Sequence, residues 1–188
     1  MNAGATGAAP RTIELCGVPI HVVTEAQCVA HIVDALARER GGWVVTPNLD
    51  HLRRLARERE FRELCARADL RVADGMPLLW AARLQRTPLP ERVAGSNLIW
   101  SVSAAAAAHG RSLYLLGGDE GAAEGAAKEL TGRFPTLRIA GLHRPPLGFE
   151  HNERELQRIV DELERTRPDI VLVALGSPKQ ERLIDALR

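Results

Sequence analysis

The chain predicts an α/β protein with a mostly parallel sheet, helices on both faces, and a small β-hairpin near its N-terminal end. Three observations carry this. Short apolar runs recur along the 188 residues. Amphipathic stretches long enough for a helix separate them. Polar or glycine-containing turns follow the runs. Parallel strands need a crossover of about a helix's length, and strands covered on both faces read as near-continuous apolar runs. The pattern is Rossmann-like.

The elements follow in order. Residues 1–11 are Ala- and Gly-rich at their start and are expected to be disordered, leaving 12–188 as one domain. Thr12 to Val23 reads as two short strands around Cys16-Gly17. Thr24 is placed to cap a helix whose apolar face holds Ala26, Val29, Ala30, Val33, Leu36 and Ala37, ending at Gly41-Gly42. The strand Trp43 to Thr46 comes next. One long helix is then expected from Leu49 to Ala68, with Phe61, Leu64, Cys65 and Ala68 facing inward. Its arginines, Arg53 among them, alternate with glutamates as a solvated, ion-paired face does.

The alternation then repeats. Leu70 to Ala73 predicts a strand, Pro77 starts a helix, and a further helix runs through Ala104 to Ala108. Strand Leu113 to Leu116, a helix from Glu120, and strand Leu137 to Ala140 follow. Helix Glu153 to Thr166 and strand Ile170 to Leu175 close the series, with His143 to Phe149 as a surface loop.

Bulk properties remove several function classes. A net charge of +1 argues against a strongly electrostatic nucleic-acid binder. Cys16, Cys28 and Cys65 are too widely spaced for a metal or redox pair and read as buried or half-buried free thiols. No apolar run approaches the ~18 residues of a membrane span, and the first residues lack signal-peptide order, so the expected location is cytoplasmic. There is no phosphate-loop, nucleophile-elbow or dinucleotide glycine motif, and the six histidines are scattered.

In open parallel sheets ligands bind beyond the carboxyl ends of the strands. Four such ends here are polar. "TPNLD" offers Thr46 and Asn48, with Asn48 either a helix cap or a site residue. "ADGMP" sets Asp74 before Gly75, either a turn or a close approach to a ligand. "LLGGDEG" brings Gly117 and Gly118 to a helix start, for dipole compensation or ligand approach. "LGSPKQE" ends the last strand in Gly176 and stands Lys179, Gln180 and Glu181 on a first helical turn.

The ordered series T-x-N, A-D-x-x-x-x-D-G, E-R-V-x-G, L-x-G-G and G-x-P-K-Q-E is similar to the core of the WecG/TagA/CpsF glycosyltransferases, from Ile13 onward. The resemblance implies an inverting transfer of a hexose, of the N-acetylmannosamine type, from a UDP-sugar to a polyprenyl-diphosphate-linked sugar at the cytoplasmic membrane face. It implies Asp74 as the base that takes the acceptor's proton, with Asp50 and Asp69 as weaker alternatives, Asp69 reading as a strand-entry residue. It implies Thr46, Asn48, Gly75, Arg92, Gly117, Gly118, Lys179 and Gln180 as substrate contacts.

No D-x-D is present, so the expected activity uses no metal and no cofactor beyond the UDP-sugar, with arginines or the N–H groups of Gly117 and Gly118 meeting the leaving group. Members of the family ordinarily continue past the P-K-Q-E helix into a basic and apolar membrane-contacting segment. The end at Arg188 therefore predicts an incomplete site with Lys179 and Gln180 exposed. A non-catalytic nucleotide-sugar-binding subunit of a polysaccharide assembly complex is the competing reading, and a homo-oligomer is left open.

Overall fold

The computed structural model describes residues 10–188. Residues 1–9, most of the stretch expected to be disordered, lie outside the described residues. The chain divides into two compact units, one holding residues up to Cys28 and Trp43–Ala94, the other Val29–Gly42 and Gly95–Arg188.

In the first unit, β1 (Thr12–Leu15) and β2 (Val18–His21) form the expected antiparallel hairpin. Its turn holds Cys16 and Gly17 at φ 52° and 75°, the left-handed pair that matches strand twist. Cys16 is exposed there, against expectation, because a two-residue turn projects its side chains away from the strands; Cys28 and Cys65 are buried. Burial, then the nearby Glu25, raises the Cys28 thiol to about 11.

The helix α1 (Glu25–Ala37) starts with Thr24 Oγ1 accepting from Gln27 N–H and Gln27 Oε1 accepting from Thr24 N–H, a reciprocal cap. Its inward residues differ from the expected face. Cys28 is fully buried, whereas Ala26 and Ala30 are exposed.

Strands β3 (Val44–Val45) and β4 (Leu70–Arg71) pair in parallel, Val44 with Leu70 and Val45 with Arg71. Both are shorter than the apolar runs suggest, yet the pairing extends beyond them. Leu70 N–H donates to Trp43, Val72 N–H to Val45 and Asp74 N–H to Pro47. At the entrance, Asp69 Oδ2 accepts from Trp43 N–H at 2.9 Å while Asp69 N–H donates to the Trp43 carbonyl. The expectation of Asp69 as a strand-entry residue describes this clamp.

The expected long helix is two: α2 (Leu49–Arg57) and α3 (Arg59–Ala66). Glu58 between them is extended, at φ −110° and ψ 102°. Neither proline nor glycine causes the break. The inward residues are His51 and Leu55 on α2, then Phe61, Leu64 and Cys65 on α3. On a continuous helix Leu55 and Phe61 would stand about 120° apart, and the extended Glu58 lets α2 and α3 each set its own inward face. The outer arginines pair as expected, Arg54 with Asp50 and Glu58, and Arg59 with Glu63.

Arg71 joins these parts. Only 8% exposed, it donates from Nε to Pro19 O at 2.6 Å and from Nη1 to the carbonyls of Ala66 and Ala68, while its N–H meets His21 Nδ1 at 3.0 Å. Desolvation lowers its pKa from the ordinary arginine value. The helix α4 (Met76–Leu84) completes the unit, with Leu78 and Ala82 buried.

The second unit holds α5 (Gly95–Ala108), β5 (Ser112–Gly117), α6 (Ala122–Arg133), β6 (Arg138–His143), α7 (Glu153–Thr166), β7 (Ile170–Ala174) and α8 (Lys179–Ala186). Its sheet is parallel with order β6-β5-β7. The central strand β5 is buried throughout, whereas β7, an edge of this sheet, is half-buried. Asp169 repeats the device of Asp69: its Oδ2 accepts from Ser112 N–H and from Ser112 Oγ, both at 2.8 Å. Burial pushes the Asp169 carboxyl up, but these bonds and that from Arg111 outweigh it and hold it low.

Tyr114 and Leu116 pack with Phe149, Ile159 and Leu183. Phe149, expected at the end of a surface loop, opens a single 3-10 turn (Phe149–His151) and is 4% exposed, because an aromatic ring at a loop end is buried when a core lies beneath it.

Candidate functional site

The parallel pairing of β3 with β4 brings two of the four polar strand ends together. Pro47 and Asp74 are joined by a backbone hydrogen bond of 2.8 Å, and the chain departs from each into a helix. Between the departing segments lies an open cleft of about 810 Å³, within the range of small-molecule sites. Asn48, Leu49, Asp50, Leu52 and Arg53 line it from α2, and Asp74, Gly75 and Pro77 from the start of α4.

Asn48 has a definite local task. Its Oδ1 accepts from Asp50 N–H at 3.0 Å and His51 N–H at 3.1 Å, and lies 2.8 Å from His51 Nδ1. It is the N-cap of α2, so its side-chain oxygen serves the helix and its amide group is the part left for a ligand in the cleft. Of the two expectations for Asn48, the cap is the one the structure shows.

Gly75 has φ 134°, a conformation that L side chains rarely adopt, and this lets the chain turn from Asp74 straight into α4. Asp50 sits on the cleft but is ion-paired with Arg54 at 3.3 Å. Asp69 stands at the opposite end of β4 from Asp74, about 16 Å of extended chain away. Thr46 is half-buried and does not line the cleft. Arg92 is exposed, and the next residue, Val93, donates its N–H to Ala73 O at 2.9 Å, so "ERVAG" runs beside the Asp74 segment.

The remaining expected residues belong to the second unit. Gly117 and Gly118 have φ 99° and 89°. A Cβ on Gly117 would stand 2.4 Å from the Ala174 carbonyl oxygen, and Gly118 N–H donates to that same oxygen at 2.7 Å. The pair therefore seats β5 against the end of β7, and the Gly118 N–H is committed inside the fold rather than offered to a leaving group. Lys179 Nζ lies 2.7 Å from Glu150 Oε1, and this bond holds the Glu150 carboxyl below its ordinary range. Gln180 Nε2 donates to Glu181 Oε1 at 3.1 Å. Lys179 and Gln180 are half-buried rather than exposed, because α8 packs through Glu181 and Leu183 on its inner face.

A sequence-family comparison matches residues 13–188 to the glycosyl transferase WecG/TagA/CpsF family. The chain belongs to that family. Two relatives, from Staphylococcus aureus strains MRSA252 and NCTC 8325 / PS 47, are 28% and 27% identical to it over 174 residues. Both are named N-acetylglucosaminyldiphosphoundecaprenol N-acetyl-beta-D-mannosaminyltransferase. The match covers 92% of this chain and 66% of each relative, so the chain spans just under two thirds of their length.

Within this WecG/TagA/CpsF chain the sequence reading missed Leu49, Leu52 and Arg53 as cleft residues. Leu52 and Arg53 stand three and four residues after Leu49, and that spacing, which puts the three on one helical face, is the available signal. No helix among the described residues is long and apolar enough to cross a membrane.

Proposed function

We propose that this chain carries the catalytic core of an inverting glycosyltransferase, moving an N-acetylmannosamine-type hexose from a UDP-sugar to a polyprenyl-diphosphate-linked sugar. The observation that supports it most is the delivery of Asn48, Asp74 and Gly75 to one cleft in a chain of this family. The relatives' names supply the transferred sugar and the lipid-linked acceptor of this reading.

In this reading the acceptor hydroxyl oxygen attacks the anomeric carbon opposite the UDP. As the new C–O bond forms, the bond to the UDP oxygen breaks with its electron pair, and the hydroxyl proton passes to the Asp74 carboxylate. Asp74 lines the cleft beside Gly75, at the family's D-G position, whereas Asp69 clamps Trp43 at the other end of β4. The Asn48 amide and Gly75 position the reacting sugars. Of the other residues in the family pattern, Arg92 belongs to the segment that runs beside Asp74 and keeps a substrate-binding role. Arginine charge rather than a metal meets the leaving UDP, in keeping with the absence of D-x-D.

The test is UDP release from a panel of UDP-hexoses with a lipid-diphosphate acceptor, beside a Staphylococcus aureus relative as control. Transfer insensitive to EDTA and reduced about 100-fold or more in Asp74→Asn supports the proposal. Transfer by the control, with none by this chain on any donor, overturns it in favour of a non-catalytic binding subunit.

A further inference from the structure

The outward face of α4 has no task in the reaction above. Met76, Trp80 and Leu84 are 44%, 61% and 87% exposed. Spaced four apart, they fall within about 80° of one another around the helix. Leu78 and Ala82 anchor the opposite side, so the apolar stripe is the helix's fixed outer surface. Large apolar side chains exposed together, rather than singly, mark a contact surface.

Charge identifies the kind of surface. The stretch from Met76 to Pro90 carries Arg83 and Arg86, both exposed, and neither an Asp nor a Glu, in a chain with 24 acidic residues. An apolar stripe with tryptophan at its middle and arginines at its end complements anionic head groups over hydrocarbon. A second copy of the chain fits less well, because a two-fold pairing through this face would bring its arginines toward their own counterparts. At nine residues, α4 is about 14 Å long and can only lie on a bilayer, not cross it.

Position supplies the reason. The stripe begins where the cleft does: Gly75 and Pro77 line the cleft on either side of Met76, and Leu49, another cleft residue, is 61% exposed. An enzyme that works on the head group of a lipid must open its cleft toward the bilayer surface. We propose that the Met76-Trp80-Leu84 face of α4 docks on the surface of an anionic lipid bilayer, holding the Asp74 cleft at the level of the acceptor's diphosphate. The choice of a bilayer as occupant rests on the proposed function.

The test is co-sedimentation of the whole chain with vesicles of equal parts phosphatidylglycerol and phosphatidylcholine, and with phosphatidylcholine alone. The wild type is expected on the anionic vesicles, with binding weakened by salt. Trp80→Glu and Leu84→Glu should each lower partitioning about tenfold, and Arg83→Gln with Arg86→Gln should remove the preference for phosphatidylglycerol. Circular dichroism checks each fold, and Leu84→Glu, at the most exposed position, serves if Trp80→Glu misfolds.

Equal vesicle binding by wild type and variants, or none by the wild type, overturns the proposal. So does a change confined to self-association in sedimentation velocity, which would make the stripe a protein interface. Transfer to a short-chain, water-soluble diphosphate acceptor should be the same in wild type and α4 variants. Its absence in the wild type, with vesicle binding intact, defeats the proposed function and leaves this surface standing.

Discussion

The backbone N–H of Asp74 donates to the carbonyl of Pro47 over 2.8 Å, and this bond sets the ends of β3 and β4 side by side. The residues that leave those ends, Asn48 on one side and Gly75 on the other, consequently face one cleft.

Asn48 caps α2 with its side-chain oxygen and also lines the cleft, so two substitutions should separate the tasks. Asn48→Ala loses the cap and should cost about 1 kcal/mol, whereas Asn48→Asp keeps an accepting oxygen and should leave stability nearly unchanged. Both should lower sugar transfer. Urea unfolding and UDP release measured on the same preparations check the pair.

Arg71 is buried among backbone carbonyls of Pro19, Ala66 and Ala68. Replacing it with Met strands those acceptors, and the expected loss is about 2 to 4 kcal/mol in chemical denaturation. Arg71→Lys should fall between, because one ammonium cannot reach all three carbonyls.

Tyr114 donates to Glu162 Oε2 at 2.5 Å, and this bond, assisted by His143 and Arg158, holds the Glu162 carboxyl below its ordinary range. A carboxyl with a lowered folded pKa adds stability that is present above the unfolded value, about 4.3, and is lost as pH falls through the folded one. Burial and the same hydrogen bond raise the Tyr114 hydroxyl, so the bond is also lost at alkaline pH as the phenol ionises. Tyr114→Phe should flatten the acid limb of a melting-temperature profile. An unchanged limb would show that the Tyr114–Glu162 bond contributes nothing to acid stability.

Gly117 cannot take a side chain, since a Cβ would stand 2.4 Å from the Ala174 oxygen. Gly117→Ala should destabilise the protein by on the order of 3 kcal/mol. Gly121, at φ 73° with open space around it, is the control, and Gly121→Ala should cost only about 1 kcal/mol of backbone strain. Thermal melts of the two variants distinguish close packing from conformation alone.

Much of this was legible beforehand. The hairpin turn, the Thr24 cap, α7 at Glu153–Thr166 and the strand-entry role of Asp69 follow from spacing and side-chain chemistry within a few residues. The break at Glu58 was also present, as a phase slip between His51 and Leu55 on one side and Phe61 and Leu64 on the other. By its local pattern Arg53 belongs to a solvated, ion-paired face, because nothing local says that α2 departs beside Asp74. Nothing local announces the burial of Arg71 either, since one of its carbonyl partners, Pro19, lies in a hairpin some fifty residues earlier.

The sequence by itself determined the alternation of elements, the caps and turns, the family, and the set of polar strand ends. Each of these depends on residues close along the chain, or on the order of motifs. Only the tertiary structure decided that β3 pairs with β4, that Asn48 and Asp74 share a cleft while Asp69 is held at the far end, and that Gly118 N–H is already committed to Ala174. Pairing and burial are properties of two distant segments together, and neither segment's own pattern records which partner it will meet.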